Sequence, residues 1–110
     1  LQIDYEDRCA LMDSMILCRF FRDFIQWDEL KTLIRATTGL FLDKSELEIL
    51  ANRITQQTRE YNKREGLDES TDTLPPRFLK EATKEGAALS PEDLRTMINE
   101  YNQIRKGSNE

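Results

Sequence analysis

The stretch "DKSELEILANRITQQTREYNKREG", Asp43–Gly66, decides the fold because it carries the clearest helical pattern in the chain. Asp43 is a good N-cap, and Glu46 three residues later completes a capping-box pair that satisfies free N–H groups at a helix start. Apolar residues then recur at the spacing of one helix face. The predicted buried stripe consists of Leu47, Leu50, Ile54, Thr58 and Tyr61. We expect this helix to end before Gly66.

Two further helices are predicted on the N-terminal side of this stretch. The first spans Asp4–Leu17, and its apolar stripe consists of Tyr5, Cys9, Met12, Met15 and Ile16. The second spans Trp27–Thr37, with an inner face of Leu30, Leu33 and Ile34. Gly39 follows it closely and suits a C-terminal cap in the left-handed region.

The C-terminal part continues the helical pattern after a polar segment at Gly66–Asp72. The prolines of "LPPRFL" fix a rigid turn, and a short helix is expected over Pro76–Glu81. Ser90 is a suitable N-cap for the last helix, with Pro91 at its first position. Its predicted inner face consists of Leu94, Met97, Ile98 and Tyr101. With no period-two alternation, residues 1–110 are predicted to form one compact all-α domain of about four main helices plus short helical turns.

Composition excludes several classes of function. Charged residues make up 34% of the 110 residues and hydrophobic residues 38%, as expected for a soluble globular chain. No apolar run is long enough to cross a membrane. The net charge of −5, with acids and bases interspersed, argues against nucleic acid as a partner. The first residue is Leu1, which suits a piece of a longer protein and equally a cleaved tag.

Catalysis by this chain alone is not expected. The sequence contains no histidine, which removes the commonest general base and the commonest zinc ligand. Its two cysteines, Cys9 and Cys18, do not make a disulfide framework, and reduced thiols in a cytoplasmic protein are the default interpretation. We therefore assign no catalytic residue to the chain itself.

Several motifs, taken in order, resemble one family. They are "DSMILC" with the following phenylalanine at Asp13–Phe20, "ANRITQQTREYNKREG" at Ala51–Gly66 and "DTLPPRFL" at Asp72–Leu79. "ATTG" at Ala36–Gly39 and "MINEYNQIR" at Met97–Arg105 fit the same pattern. In this order and spacing the motifs resemble the C-terminal region of the tungsten-dependent aldehyde:ferredoxin oxidoreductases.

The resemblance implies a specific chemistry for the parent protein. Family members oxidise aldehydes to carboxylic acids at tungsten, or sometimes molybdenum, held by two pterins, and pass electrons through a [4Fe-4S] cluster to ferredoxin. The family's Asp-x-x-Gly-Leu-Cys motif is matched here by Asp13, Leu17 and Cys18. By this resemblance, Asp13 and Leu17 belong to the pterin pocket and Cys18 is one iron ligand. A thiolate is the usual iron–sulfur ligand, and a carboxylate accepts N–H donors of a pterin.

The sequence also departs from the family pattern. The family's glycine is Ile16 here, and glycine is the residue that lets a backbone approach a ligand closely. The family's upstream Cys-x-x-Cys-x-x-x-Cys motif is absent, so the chain should be inactive as an isolated fragment. Its partners would then be the N-terminal domains of the same parent chain and, through them, ferredoxin.

An alternative keeps the fold but removes the cofactors. A small acidic helical module with amphipathic faces can dock a partner helix in an apolar groove. Under that hypothesis Cys18 is an ordinary core thiol, as we expect for Cys9 under either hypothesis. A homodimer through an exposed face also stays open. The family hypothesis instead predicts an exposed apolar patch around Met15–Phe24, because those residues would have lost their partner domain.

Overall fold

The computed structural model describes residues 1–67, 69–82, 86 and 88–107. The helices are α1 (Gln2–Ser14), α2 (Trp27–Thr38), α3 (Lys44–Arg64), α4 (Pro76–Lys80) and α5 (Pro91–Gly107). Single 3-10 turns lie at Arg19–Phe21 and Glu69–Thr71. No β-strand occurs within the described ranges. The predicted all-α class, with four main helices and shorter turns, is confirmed.

The helix starts follow from side-chain capping. The backbone N–H of Glu46 donates to Oδ1 of Asp43 at 2.9 Å, and the N–H of Asp43 donates to Oε2 of Glu46 at 2.8 Å. This is the predicted capping box of α3. Accepting the Glu46 N–H is the main reason why the pKa of the Asp43 carboxyl lies below its ordinary value, and the Ser45 hydroxyl adds to it. At α5, the Ser90 hydroxyl oxygen accepts the Asp93 N–H at 3.0 Å.

Two helix ends use glycine in the left-handed conformation. Gly39 has φ +76°, and its N–H donates to the carbonyl of Arg35 at 2.9 Å, which confirms the predicted cap of α2. Gly66 has φ +92°, and its N–H donates to the carbonyl of Lys63 at 3.1 Å. The N–H of Leu67 then donates to the carbonyl of Asn62 at 2.9 Å. This pair of bonds is a Schellman motif that ends α3.

The chain divides into two compact units, Leu1–Thr58 and a second one that begins at Arg59. In the first unit, α1, α2 and the N-terminal part of α3 contribute to one apolar core. Its buried residues are Leu11, Met12, Leu30, Ile34, Leu47 and Ala51. Partly buried residues packed against them are Met15, Leu17, Ile25, Trp27, Leu42, Leu50 and Ile54. This core fixes the position from which the chain leaves α1.

In the second unit, Arg59 joins the end of α3 to later segments. Its Nη2 donates to Oδ2 of Asp72 at 3.1 Å and to Oδ1 of Asn102 at 3.2 Å. The guanidinium groups of Arg59 and Arg105 lie 5.6 and 5.3 Å from the centre of the Tyr101 ring, within the range of cation–π attraction. An open groove of about 380 Å³ lies beside this network and is lined by Asp72, Asn102 and α5 residues such as Leu94.

The first predicted helix differs from the structure at its end. It was expected to run to Leu17 with Ile16 on the buried stripe, whereas α1 ends at Ser14 and Ile16 is 92% exposed. The cause is a left-handed backbone at Ile16, with φ +59°, which stops the helix.

Two predicted inner faces also included residues that are exposed in the structure. Thr58 and Tyr61 of α3 are exposed, because the core of the first unit reaches along this helix only as far as Ile54. Met97 of α5 is exposed as well, since it lies beside the half-buried stripe that contains Leu94 and Ile98. Apolar periodicity indicates the direction of the buried face but not how far along a helix the burial extends.

Candidate functional site

The segment that follows α1 is held by the backbone. The N–H of Leu17 donates to the carbonyl of Met12 at 2.9 Å, and the N–H of Ile16 donates to the carbonyl of Asp13 at 3.1 Å. These two bonds form the same Schellman pattern that ends α3. Leu17, whose side chain packs against the core, anchors the chain just beyond the reversal.

Ile16 occupies the position of this motif that glycine usually fills. Among the described non-glycine residues it alone has a positive φ. A β-branched side chain in the left-handed region is strained, and the side chain gains little from burial because it is almost fully exposed. A glycine at this position would adopt the same backbone conformation without this strain.

Asp13 makes a paired contact with Arg19 across the helix end. Nε of Arg19 donates to Oδ1 of Asp13 at 3.0 Å, and Nη2 donates to Oδ2 at 2.9 Å. Two parallel bonds of this kind fix the orientation of a carboxylate better than a single contact. Hydrogen bonding to Asp13 is also the main reason why the pKa of the Arg19 guanidinium is raised.

The two thiols occupy opposite environments. Cys18 is exposed, with an extended backbone at φ −69° and ψ 123°, and its carbonyl accepts the N–H of Phe21 at 3.1 Å at the start of the 3-10 turn. Cys9 is 5% exposed on α1, as predicted for a core residue. Asp13 lies in the last turn of α1, whereas Cys18 lies beyond the helix end. They lie on either side of the Schellman reversal.

Arg8 on α1 bonds the later part of the segment that follows α1, at Arg22 and Ile25. Its Nη1 donates to the carbonyl of Arg22 at 3.1 Å and to the carbonyl of Ile25 at 3.3 Å. Its Nε donates to Oδ2 of Asp4 at 3.2 Å, and the indole N–H of Trp27 donates to Oδ1 of Asp4 at 2.8 Å. The bond from Trp27 is the main reason why the pKa of Asp4 is lowered. Sequence reasoning missed both Arg8 and Arg19, since an arginine on a charged chain gives no sign of its partner.

The same segment carries exposed apolar side chains. Phe20 is 87% exposed, Phe24 is 76% exposed, and Phe21 is exposed to a smaller degree. Met15 and Leu17 are half-buried against the core instead. The exposed apolar side chains predicted over Met15–Phe24 are therefore present, but they belong to the aromatic residues and Ile16.

A complete metal site is not formed within the described part of the chain. No group of at least three His, Cys, Asp or Glu side chains comes together there. Within the same residues, no helix combines the length and hydrophobicity that crossing a membrane requires. The described part of this all-α protein thus places an oriented acid, Asp13, and an exposed thiol, Cys18, on either side of one helix end.

Comparison with known proteins gives the family. A model of the family described as "Aldehyde ferredoxin oxidoreductase, domains 2 & 3" matches residues 1–108. The chain therefore belongs to the aldehyde ferredoxin oxidoreductase family, and its C-terminal-region assignment is confirmed.

Two relatives show how much of the family the chain represents. It is 35% identical over 83 residues to the tungsten-containing aldehyde ferredoxin oxidoreductase of Pyrococcus furiosus. It is 32% identical over 83 residues to the protein of the same name from Thermococcus kodakarensis. Each match covers 74% of this chain and 14% of the relative. No solved structure matches the chain.

The donors on this loop are compatible with the cofactors of such enzymes. Cys18 is exposed, so a metal can reach its sulfur without rearrangement of the core. Asp13 keeps acceptor capacity beside its bonds to Arg19, because an ionised carboxylate offers about four lone-pair sites. The backbone N–H groups of Ile16 and Leu17 are already donated to carbonyls of α1 and are not free for a ligand.

Proposed function

We propose that this chain is the C-terminal helical domain, residues 1–110, of a tungstopterin iron–sulfur enzyme that oxidises aldehydes to carboxylates and delivers the electrons to ferredoxin. Membership of the family supports the proposal, as do relatives whose names specify tungsten and aldehyde ferredoxin oxidoreductase. The observation in this chain that carries it is the exposed Cys18 on an anchored loop. Tungsten or molybdenum can fill the metal position in this proposal, and the enzyme is cytoplasmic.

Cys18 is proposed as one ligand of a [4Fe-4S] cluster whose other cysteines come from elsewhere in the parent chain. A thiolate is the standard ligand for such clusters. The loop satisfies the two requirements for this role, since the sulfur is accessible and the backbone on its N-terminal side is held by the Schellman bonds. When bound, the cluster would supply the path by which electrons leave the site of aldehyde oxidation.

Asp13 is proposed as an acceptor for the N–H groups of a pterin. Its carboxylate is exposed and has a fixed orientation through Arg19. Leu17 is proposed to act as the anchor of the same pocket, because its side chain packs against the core while its N–H is used within the loop. The tungsten bis-pterin, when bound, would supply the redox centre, and this chain's own residues would only hold and orient it.

The exposed aromatic residues are proposed to contact the N-terminal domains of the same parent chain. Phe20 and Phe24 expose most of their surface, and large apolar side chains grouped in one short segment usually mark an interaction surface. A cofactor-free interaction module or a homodimer would use the same surface. Neither alternative explains why the acid and the thiol both lie beside it.

The test compares the full-length parent with the 110-residue chain, both purified without oxygen. We expect the parent to contain tungsten or molybdenum and to reduce ferredoxin when an aldehyde is added. The 110-residue chain should do neither, because the described part of it brings no complete metal site together. A parent without either metal, or one that ignores aldehydes while binding another protein through Phe20 and Phe24, would favour the interaction module.

A further inference from the structure

Asp13 and Arg19 form an ion pair with two parallel hydrogen bonds, although both side chains are exposed to solvent. Nε of Arg19 donates to Oδ1 of Asp13 at 3.0 Å and Nη2 donates to Oδ2 at 2.9 Å, although each side chain is more than half exposed. Exposed pairs contribute little to stability, typically less than about 1 kcal/mol. Stabilisation is therefore a poor explanation of the pair, whereas orientation of the carboxylate is a direct consequence of it.

The pair also spans the segment that carries Cys18. Asp13 lies in the last turn of α1, and Arg19 directly follows Cys18 at the start of the 3-10 turn. Between them, the left-handed Ile16 reverses the chain. The exposed bonds between Arg19 and Asp13 therefore join the two ends of this segment through side chains. The backbone bond from the Leu17 N–H to the Met12 carbonyl joins it beside the core.

Arg19 leaves Asp13 able to bind something else. The guanidinium occupies one acceptor position on each oxygen, and an ionised carboxylate has about four in all. The carboxylate plane is thus fixed with free positions remaining for a planar ligand that donates N–H groups. A carboxylate without this partner would rotate about its side-chain torsions, since no other side chain donates to Asp13 in the described hydrogen bonds.

We propose that Arg19 is a positioning residue, which holds the Asp13 carboxylate in the orientation that accepts the N–H groups of the pterin. This inference rests on the proposed role of Asp13. It assigns to Arg19 no contact with the pterin or the cluster. Its action through Asp13 is what separates it from a residue that merely stabilises the loop.

The test uses the full-length parent isolated with its cofactors and measures tungsten, pterin and iron per chain. In Arg19→Gln we expect tungsten and pterin to fall together while iron stays near the parent value. Loss of a group that orients a metal-site residue typically lowers affinity by about 10-fold or more. Arg19→Lys should retain more pterin than Arg19→Gln, because an ammonium keeps one charged bond to Asp13. Arg22→Gln is the matched control, since Arg22 lies three positions along the chain and approaches Asp23 only at 4.0 Å.

A second comparison shows whether Arg19 acts through Asp13. The double variant Asp13→Asn with Arg19→Gln should contain as much pterin as Asp13→Asn alone. Additive losses, or equal loss of pterin and iron in both Arg19 variants, would overturn the inference. If Asp13→Asn lowers pterin but Arg19→Gln does not, Arg19 has no positioning role and the proposed function still stands. If neither Asp13→Asn nor Cys18→Ser changes any cofactor, the proposed function itself fails.

Discussion

Leu17 and Met12 are joined by a backbone hydrogen bond of 2.9 Å, and their side chains belong to the same apolar cluster. This relationship closes the end of α1 around Ile16, whose φ is +59°. A Schellman motif with a hydrophobic contact between these two positions is a common helix end, but its left-handed residue is usually glycine. Ile16 is the unfavourable residue of this motif, because a β-branched side chain is strained at a positive φ.

Replacing Ile16 by glycine should therefore stabilise the chain. The left-handed conformation costs a non-glycine residue roughly 1–2 kcal/mol, and little burial is lost with a side chain that is 92% exposed. We expect the midpoint of urea unfolding to rise with no change in the slope. Ile49→Gly is the control, because Ile49 is a half-exposed isoleucine in the second turn of α3, where glycine should destabilise by about 1 kcal/mol. A lower midpoint for Ile16→Gly would show that the side chain makes a necessary contact.

Removing the cap of α3 should destabilise the first unit. Asp43→Ala loses the acceptor for the Glu46 N–H, and such losses typically cost about 1 kcal/mol. Asp23→Ala removes an exposed acid outside any helix and should leave the unfolding midpoint nearly unchanged. Equal midpoints for the two variants would contradict the capping role. The measurement is urea unfolding at neutral pH, followed by circular dichroism.

Lowering the pH should reduce the stability of the folded chain, partly because Asp4 becomes protonated. The Trp27 N–H lowers the pKa of this carboxyl below its ordinary value of 3.8 in the folded state. Its contribution to stability is consequently complete above the unfolded pKa and is lost as pH falls through the lower folded value. Unfolding followed by Trp27 fluorescence between neutral and acidic pH should show a smaller acid-induced loss in Asp4→Asn than in the parent sequence. Identical pH profiles would show that the bond to Trp27 does not favour the ionised form.

The two cysteines should differ in reactivity. A disulfide reagent should modify one thiol per folded chain rapidly, because Cys18 is exposed and Cys9 is buried in α1. In urea both thiols should react. Cys18→Ser should abolish the fast phase and Cys9→Ser should leave it intact. A fast phase that survives in Cys18→Ser would mean that α1 opens readily around Cys9.

The sequence predicted the helices better than their ends and contacts. Caps at Asp43, Gly39 and Ser90 were predictable because the signal lies within a few residues of the boundary. The end of α1 was not, since an isoleucine at the left-handed position contradicts local preference, and the packing of Leu17 against the core cannot be read from neighbouring residues.

The candidate site was predictable only where a motif exists. The resemblance drew attention to Asp13, Leu17 and Cys18, and the structure places Asp13 in the last turn of α1 and the other two just beyond it. Arg8 lies outside the quoted motifs, and Arg19 is not one of the positions matched to the family, so their roles depend on which oxygens the folded chain brings within reach. Long, flexible cations are the residues whose partners a single sequence specifies least.

The most direct test of the central claim is the iron content of the full-length parent, purified without oxygen, in Cys18→Ser and in the matched control Cys9→Ser. If Cys18 is a cluster ligand, the parent and Cys9→Ser should each hold about four irons per chain, as a [4Fe-4S] cluster requires. Cys18→Ser should lose iron together with the visible absorption of the cluster. Equal iron in all three proteins, or a parent without iron, would contradict the account and leave Cys18 as an exposed thiol on a helical interaction domain.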